Sequence, residues 1–385
     1  MNEEETLYDK LIELIRNVFH KEEGLTVQIS PDDMEKLYIL AEKHMLSALV
    51  CTGLEETGLL QKASPEIMKK WKEAQNKAIR KNMLLDAERE QVFKEMDAAG
   101  IWHLPLKGSV LKSLYPKPWM RQMSDNDILF DPEYQSEVKD IMVKRGYLAK
   151  SYGEENHDVY IKEPIYNFEM HTSLFGEDHK KVWQDYYTDV KSRLIPVGNG
   201  TQEYRFSDDD FYIYLTVHAF HHYEDRGTGL RTLVDSYVYI WKKSMHLDWD
   251  YIRYECEKLG IDQFERGSRM LALKLWEPHR EQNLTEEERQ MFSYMTGAGI
   301  YGTQENRKVN QLKKMGNGSV TGKTKMQYFF RRLFPDREWF VRYKPVCARH
   351  PWIIPFYRIF RVFYGVTFGF RKMRKEVQVI QKVDR

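Results

Sequence analysis

Apolar residues along the first hundred positions recur with the three-and-four spacing of a helix face. Leu7, Tyr8, Leu11, Ile12 and Ile15 fall on one side of such a helix. Ser30-Pro31-Asp32-Asp33 reads as a helix start: a hydroxyl to accept a free backbone N–H, a proline for the first turn, then acids at the positive end of the dipole. Residues 66–98 are rich in Lys, Glu, Ala, Met and Leu with few breakers, which predicts one or two long amphipathic helices.

The period shortens after Gly100. Short apolar or alternating runs at Ile101 to Leu106, Ser124 to Phe130, Val159 to Lys162 and Ile165 to Phe175 predict strands. Between them, a short helical pattern opens at Lys107-Gly108-Ser109, and a helix is expected from Pro132 to Lys144, closed by Gly146. Leu194 to Val197 and Glu203 to Phe206 suit a hairpin. From Ser207-Asp208-Asp209-Asp210 the helical period returns, with helices to Tyr223, over Arg231 to Lys242, and at about 249–259, 262–276 and 285–296. The class is therefore α+β. Its expected parts are a helical region at 1–98, a mixed core at 99–206, a helical domain at 207–300, and a linker with a basic aromatic tail at 301–385.

Composition changes this picture little. Of 385 residues, 42% are apolar and 30% charged, as in ordinary globular chains, so disorder is excluded for the bulk. The net charge of +1 argues for no particular partner. Three scattered cysteines, Cys51, Cys256 and Cys347, support neither a disulfide framework nor a metal motif, and they suit a reducing cytoplasm. The acidic N-terminus lacks a signal pattern, and no apolar run is long enough to span a bilayer.

Candidate chemistry begins at Asp125-Asn126-Asp127. Residues two apart on a strand face the same way, so both carboxylates can converge on a pair of cations. Two-metal phosphoryl chemistry needs such carboxylates, and magnesium prefers their hard oxygens. A third acid is available in the strand candidate at Ile165 to Phe175. There Asn167, Glu169, His171 and Ser173 alternate with Tyr166, Phe168, Met170 and Leu174, giving a polar front and an apolar back. Upstream, Gly108 allows close backbone approach, Ser109 offers a hydroxyl, and the helix start offers N–H groups to a phosphate. Lys107 reads equally as a phosphate contact or a surface lysine. Arg121 is a candidate phosphate fork. His171 is either a nucleotide contact or a hydrogen-bonded strand histidine.

The run LPLKGSVLKSLYPKPWMRQMSDNDILF resembles the signature of a bacterial nucleotidyltransferase family of the DNA polymerase β-like superfamily. That likeness implies a mixed-sheet nucleotidyltransferase core flanked by helical regions. It assigns Gly108 and Ser109 to the phosphate turn, and Asp125, Asp127 and Glu169 to two Mg²⁺ ions, with Mn²⁺ as a substitute. His218, His222, Arg231 and Asp235 are similar to the family's later helical pattern. The implied activity is transfer of a nucleoside monophosphate from a triphosphate such as ATP to an unknown hydroxyl or phosphate acceptor, releasing pyrophosphate. Two positions depart from the pattern: fifteen residues separate Ser109 from Asp125, and Asn126 stands where an apolar residue is usual.

Other readings stay open. His218 and His222 share a helical face, either lining a nucleotide cleft or forming structural hydrogen bonds; no zinc motif accompanies them. Arg231 and Asp235, at i and i+4, can pair on a helix surface. Residues 300–325 suit a linker, and the stretch from Asn317 to Thr324 lacks the first glycine and the strand of a P-loop. The aromatic and basic tail from Arg349 to Lys375 suits an anionic membrane surface, nucleic acid, or packing on the body. The rival to a cytoplasmic enzyme is thus a catalytically inactive nucleotide-binding or membrane-surface scaffold, peripheral at the inner membrane face.

Overall fold

The strands of the middle region assemble into one mixed sheet. The structure, a computed structural model, describes residues 3–21, 28–177, 179–198, 200–278, 283–316, 320–337, 339–340, 344–367 and 374. Strands β1 (His103–Pro105), β2 (Asn126–Phe130), β3 (Leu148–Ser151), β4 (His157–Lys162) and β5 (Tyr166–His171) lie in the order β1-β2-β5-β4-β3. β2 and β5 run parallel at the centre, and the other pairings are antiparallel. With helices flanking this sheet, the fold is α+β, as the hydrophobic pattern predicts.

The alternation along β2 and β5 fixes which way the sheet faces. Ile128, Phe130, Phe168 and Met170 point backward and pack with Tyr160 in a buried cluster. That cluster is completed by Val92, Phe93 and Met96 of helix α4 (Pro65–Ala98), and by Val138 and Met142 of α6 (Gln135–Lys144). A one-residue slip of either strand would drive these side chains to the other face, so burial pins the register. Asn126 is the polar exception on the back face. Its amide donates to the Leu85 carbonyl at 3.0 Å and accepts from Arg89 at 3.2 Å and Ser109 at 3.3 Å. The departure from an apolar residue is thus absorbed by a fully paired buried amide rather than leaving a packing fault.

The remaining elements frame the sheet. Helices α1 (Glu3–Phe19), α2 (Pro31–Lys43) and α3 (Ser47–Glu56) precede α4. Ser30 caps α2 as expected, accepting from the Asp33 N–H at 3.2 Å while Asp33 accepts from the Ser30 N–H at 3.0 Å. The short α5 (Gly108–Leu111) follows β1; α7 (Lys181–Tyr187) and the hairpin β6 (Ile195–Pro196) with β7 (Tyr204–Arg205) follow β5. Helices α8 (Asp208–Asp225), α9 (Leu230–Lys243), α10 (Trp249–Leu259), α11 (Asp262–Trp276) and α12 (Glu286–Ala298) come next. β3 and α7 escape the sequence pattern. β3 is an edge strand with exposed Leu148, so it lacks the clean alternation that one-sided burial imposes.

The chain divides into two compact units, Met1–His221 with Gly229–Ile300, and His222–Thr228 with Tyr301–Arg385. In the second, residues expected as linker form α13 (Gln304–Met315), capped by the Thr303 hydroxyl. Leu312 of α13 buries against Tyr328 of α14 (Gly322–Leu333), and that packing outweighs the polar composition. Residues 317–319 of the stretch resembling a P-loop lie outside the described residues.

In the first unit, a buried ion pair ties the segment before β2 to α9. Both arms of the Arg121 fork grip Asp235, at 2.8 and 2.9 Å, and the Tyr115 hydroxyl donates to the same carboxylate at 2.6 Å. Asp235 therefore pairs across the tertiary structure rather than with Arg231 on its own helix. Removing one partner strands a buried charge. Asp235→Ala is expected to lose about 3–5 kcal/mol of stability, and an Arg121→Met/Asp235→Leu double variant markedly less. Urea unfolding of the two variants checks this; equal losses would contradict it.

Candidate active site

β2 and β5 run parallel in a register that sets Asp127 directly opposite Glu169, so both carboxylates leave the front face side by side. Two residues along β5, His171 shares that face and brings its Nε2 to 3.1 Å from Asp127 Oδ1. The same nitrogen lies 3.9 Å from Glu169 Oε2. One ligand atom from each of Asp127, Glu169 and His171 falls within 4.8 Å of the others, close enough for one ion. Asp125 sits just before β2 and is near enough to both other acids to perturb them electrostatically.

Three acids so close, with little water, repel one another. Burial first, then Asp127 and Asp125, push the Glu169 carboxyl up to about 8. Burial and Asp127 push Asp125 up to about 6. Burial works against ionisation of Asp127 too, but Lys107 and the His171 hydrogen bond hold it well below the usual carboxylate range. The Lys107 ammonium lies 2.7 Å from Asp127 Oδ1 and is itself held above the ordinary lysine value despite burial. Burial holds the His171 imidazole down at about 4, so the ring is neutral at pH 7. An ionised Asp127 can only accept, so Nε2 carries the proton, and the buried Nδ1 has no hydrogen-bond partner among the described residues.

The turn before α5 supplies Lys107 at a backbone cost. Lys107 adopts φ 46°, a left-handed conformation that disfavours a side chain by roughly 1–3 kcal/mol. Gly108 follows because a Cβ there would stand 2.2 Å from Arg121 Nη1 and 2.7 Å from Met123 Sδ. The Ser109 hydroxyl is directed to Asn126, and its N–H bonds the Leu106 carbonyl at 3.2 Å. The Gly108-Ser109 turn thus lies against the start of β2, beside the carboxylates.

Further groups surround the acids. Arg231 is half-buried, donates to the Gln122 carbonyl at 3.2 Å, and acts on Asp125. Lys81 donates to the Ser124 carbonyl at 2.9 Å and feels Asp125 as well. The buried phenol of Tyr214 on α8 is perturbed by Lys107, Asp127 and Glu169, which places it beside the cluster. The His157 ring lies tilted against His171, with centroids 4.9 Å apart. Sequence reasoning did not single out Lys81, His157 or Tyr214. His157 opposes His171 across the β4–β5 pairing, a signal visible only once the register is known.

The other sequence candidates are placed as follows. Arg121 is buried with its fork committed to Asp235. His218 lies on α8 one turn beyond Tyr214, ring centroids 6.3 Å apart. His222, next along that helical face, falls in the second compact unit, where its carbonyl accepts from the Arg226 and Gly227 N–H groups.

A carboxylate cluster beside a glycine turn on a mixed sheet is the kind of site used in phosphoryl and nucleotidyl transfer. Residues 30–277 match the model of a family described as uncharacterised nucleotidyltransferase. The chain belongs to that family and is a transferase. No curated protein and no solved structure matches it.

The electrostatics make a checkable statement about pH. Folded Glu169 keeps its proton up to about 8, whereas an ordinary glutamate loses it near 4.5, so the folded state binds the extra proton between these values. In chelator-treated protein this contribution to stability is therefore full below pH 4.5 and is lost as pH rises through about 8. Glu169→Gln is expected to flatten that part of the profile and to exceed wild type in stability at higher pH. Unfolding midpoints of both proteins across the window test it; parallel profiles would contradict it.

Proposed function

We propose that this chain is a magnesium-dependent nucleotidyltransferase of the DNA polymerase β-like superfamily, transferring a nucleoside monophosphate from a triphosphate to a hydroxyl or phosphate acceptor. The observation that carries this reading is the direct opposition of Asp127 and Glu169 across parallel strands, with Asp125 and the Gly108-Ser109 turn alongside. Burial, joined by mutual repulsion, raises two of the three carboxyls, which is the signature of a site in want of positive charge.

The donor set fits a hard divalent cation. Asp125, Asp127 and Glu169 would hold Mg²⁺ or Mn²⁺, with His171 beside the same position. Bound metal would neutralise charge developing on the attacking and leaving oxygens. Within the chain, Lys107 supplies positive charge to Asp127 and keeps that carboxylate ionised. Its ammonium can be redirected toward a donor phosphate once a cation takes over at Asp127. His171, neutral and in contact with the His157 ring, orients the Asp127 carboxylate. Arg231 and Lys81 place positive charge near Asp125, on the side suited to a triphosphate. In the net reaction the acceptor oxygen bonds the α-phosphorus, a hydroxyl acceptor gives up its proton to solvent, the bond from that phosphorus to the bridging oxygen breaks, and pyrophosphate carries away the electron pair. Residues 99–206 supply the acids, and the helices of 207–300 contribute Tyr214 and Arg231.

Transfer of label from α-labelled nucleoside triphosphates to sugar phosphates, small alcohols, protein hydroxyls and RNA ends tests the proposal. Wild type is expected to label one acceptor class with magnesium, and Asp125→Ala/Asp127→Ala to lose at least 100-fold, about 2.7 kcal/mol of barrier. Heat stabilisation by triphosphate and magnesium should disappear with the activity. Identical labelling by wild type and the double variant would end the catalytic reading.

A further inference from the structure

The end of the chain carries an apolar surface that nucleotidyl transfer leaves unused. Within the second unit, helix α15 (Pro345–Arg349) is followed by α16 (Ile354–Thr367). Along α16, Phe356, Ile359, Phe360, Phe363 and Tyr364 fall at i, i+3, i+4, i+7 and i+8, a single face. An amphipathic helix normally turns such a face inward, yet here Phe356 is 68% exposed and Phe363 64%, and Trp352, one turn upstream, 70%.

The opposite side of α16 is the anchored one. Tyr357 packs edge-on against Phe340 at 5.5 Å. Arg358 donates to the Pro335 carbonyl at 2.7 Å, and Arg361 donates to the Arg332 carbonyl at 2.9 Å while lying over the Trp339 ring. These contacts set the rotation of the helix and leave its aromatic stripe outward. The charge pattern is equally one-sided: from Trp339 to Lys375 the sequence has nine Lys or Arg and no Asp or Glu. Lys344 and Arg349 are exposed.

We infer that α16 docks this protein on an anionic lipid surface, with its Phe and Ile stripe in the acyl boundary and the surrounding cations among the headgroups. Aromatic residues on one face, in a segment whose charged side chains are all positive and whose Lys344 and Arg349 are exposed, match the interfacial helices that lie in a membrane plane. Among the described residues no helix is long and apolar enough to cross a membrane, so the attachment is peripheral. A second copy is a poorer occupant, because two-fold pairing of this face brings like charges together. Single-stranded nucleic acid is poorer too, since Arg358 and Arg361 are tied to backbone carbonyls behind the stripe.

Flotation of the full chain with phosphatidylcholine vesicles, with and without phosphatidylglycerol, tests this. Wild type is expected to float with the anionic vesicles only, and to lose about tenfold in affinity as salt approaches 1 M, where screening acts within about 3 Å. Phe356→Glu/Phe360→Glu/Phe363→Glu should abolish flotation. Ile39→Glu/Met245→Glu/Tyr254→Glu, with the same charge change at exposed positions elsewhere, should retain it. Quenching of tryptophan emission by brominated lipid should fall in Trp352→Phe, a readout that does not depend on the triple variant folding. Flotation of the stripe variant equal to wild type overturns the proposal. So does absence of wild-type flotation, whether the stripe proves instead to control self-association in sedimentation or retention of an RNA oligonucleotide.

Discussion

Like-charge repulsion on one face of a small sheet is the constraint that organises the first unit. Parallel pairing of β2 and β5 leaves Asp127 and Glu169 no means of avoiding each other, and Asp125 adds a third negative group at the strand entrance. The Lys107 ammonium, 2.7 Å from Asp127, and the His171 hydrogen bond keep that carboxylate ionised. The backbone strain at Lys107 belongs to the same balance, because a relaxed turn would not present its side chain to the strand. What holds the acids in place is the apolar back of the sheet, where Ile128, Phe168 and Met170 cannot leave the core without losing their burial.

Around this cluster, the neighbouring polar groups act mainly on position. Asn126 joins β2 to α4 and to Ser109 through one buried amide, so turn, strand and long helix move together. The Arg121–Asp235 pair adds α9 to the same assembly, and Gly108 exists where it does because Arg121 and Met123 occupy the space of a Cβ. A glycine that sequence reasoning assigns to phosphate approach thus has a second, structural cause. Arg121 likewise serves to fix the segment leading into Asp125, and Lys107, Arg231 and Lys81 all bring positive charge to bear on that carboxylate.

The second unit obeys a different logic. Its aromatic residues divide into an inner set around Phe340 and Tyr357 and an outer set along α16. Polar side chains that would ordinarily face water instead secure the helix to carbonyls beneath it. The acid cluster and the exposed aromatic stripe thus lie in separate parts of the chain.

The sequence by itself determined the elements and the chemistry available. Period-two alternation in Asn167 to Ser173 marked a polar and an apolar face, Ser30 and Ser207 marked helix starts, and Asp125, Asp127 and Glu169 stood out as acids flanked by apolar neighbours. Such features are local, since a strand's two faces and a helix cap are set by residues a few positions apart. Tertiary structure alone decided the partners. That Asp127 faces Glu169, that Asp235 takes Arg121 in preference to Arg231, and that His157 lies against His171 all depend on register and on contacts between distant segments. Edge strand β3 and helix α13 were hidden for the same reason: each is stabilised by a neighbour rather than by its own pattern.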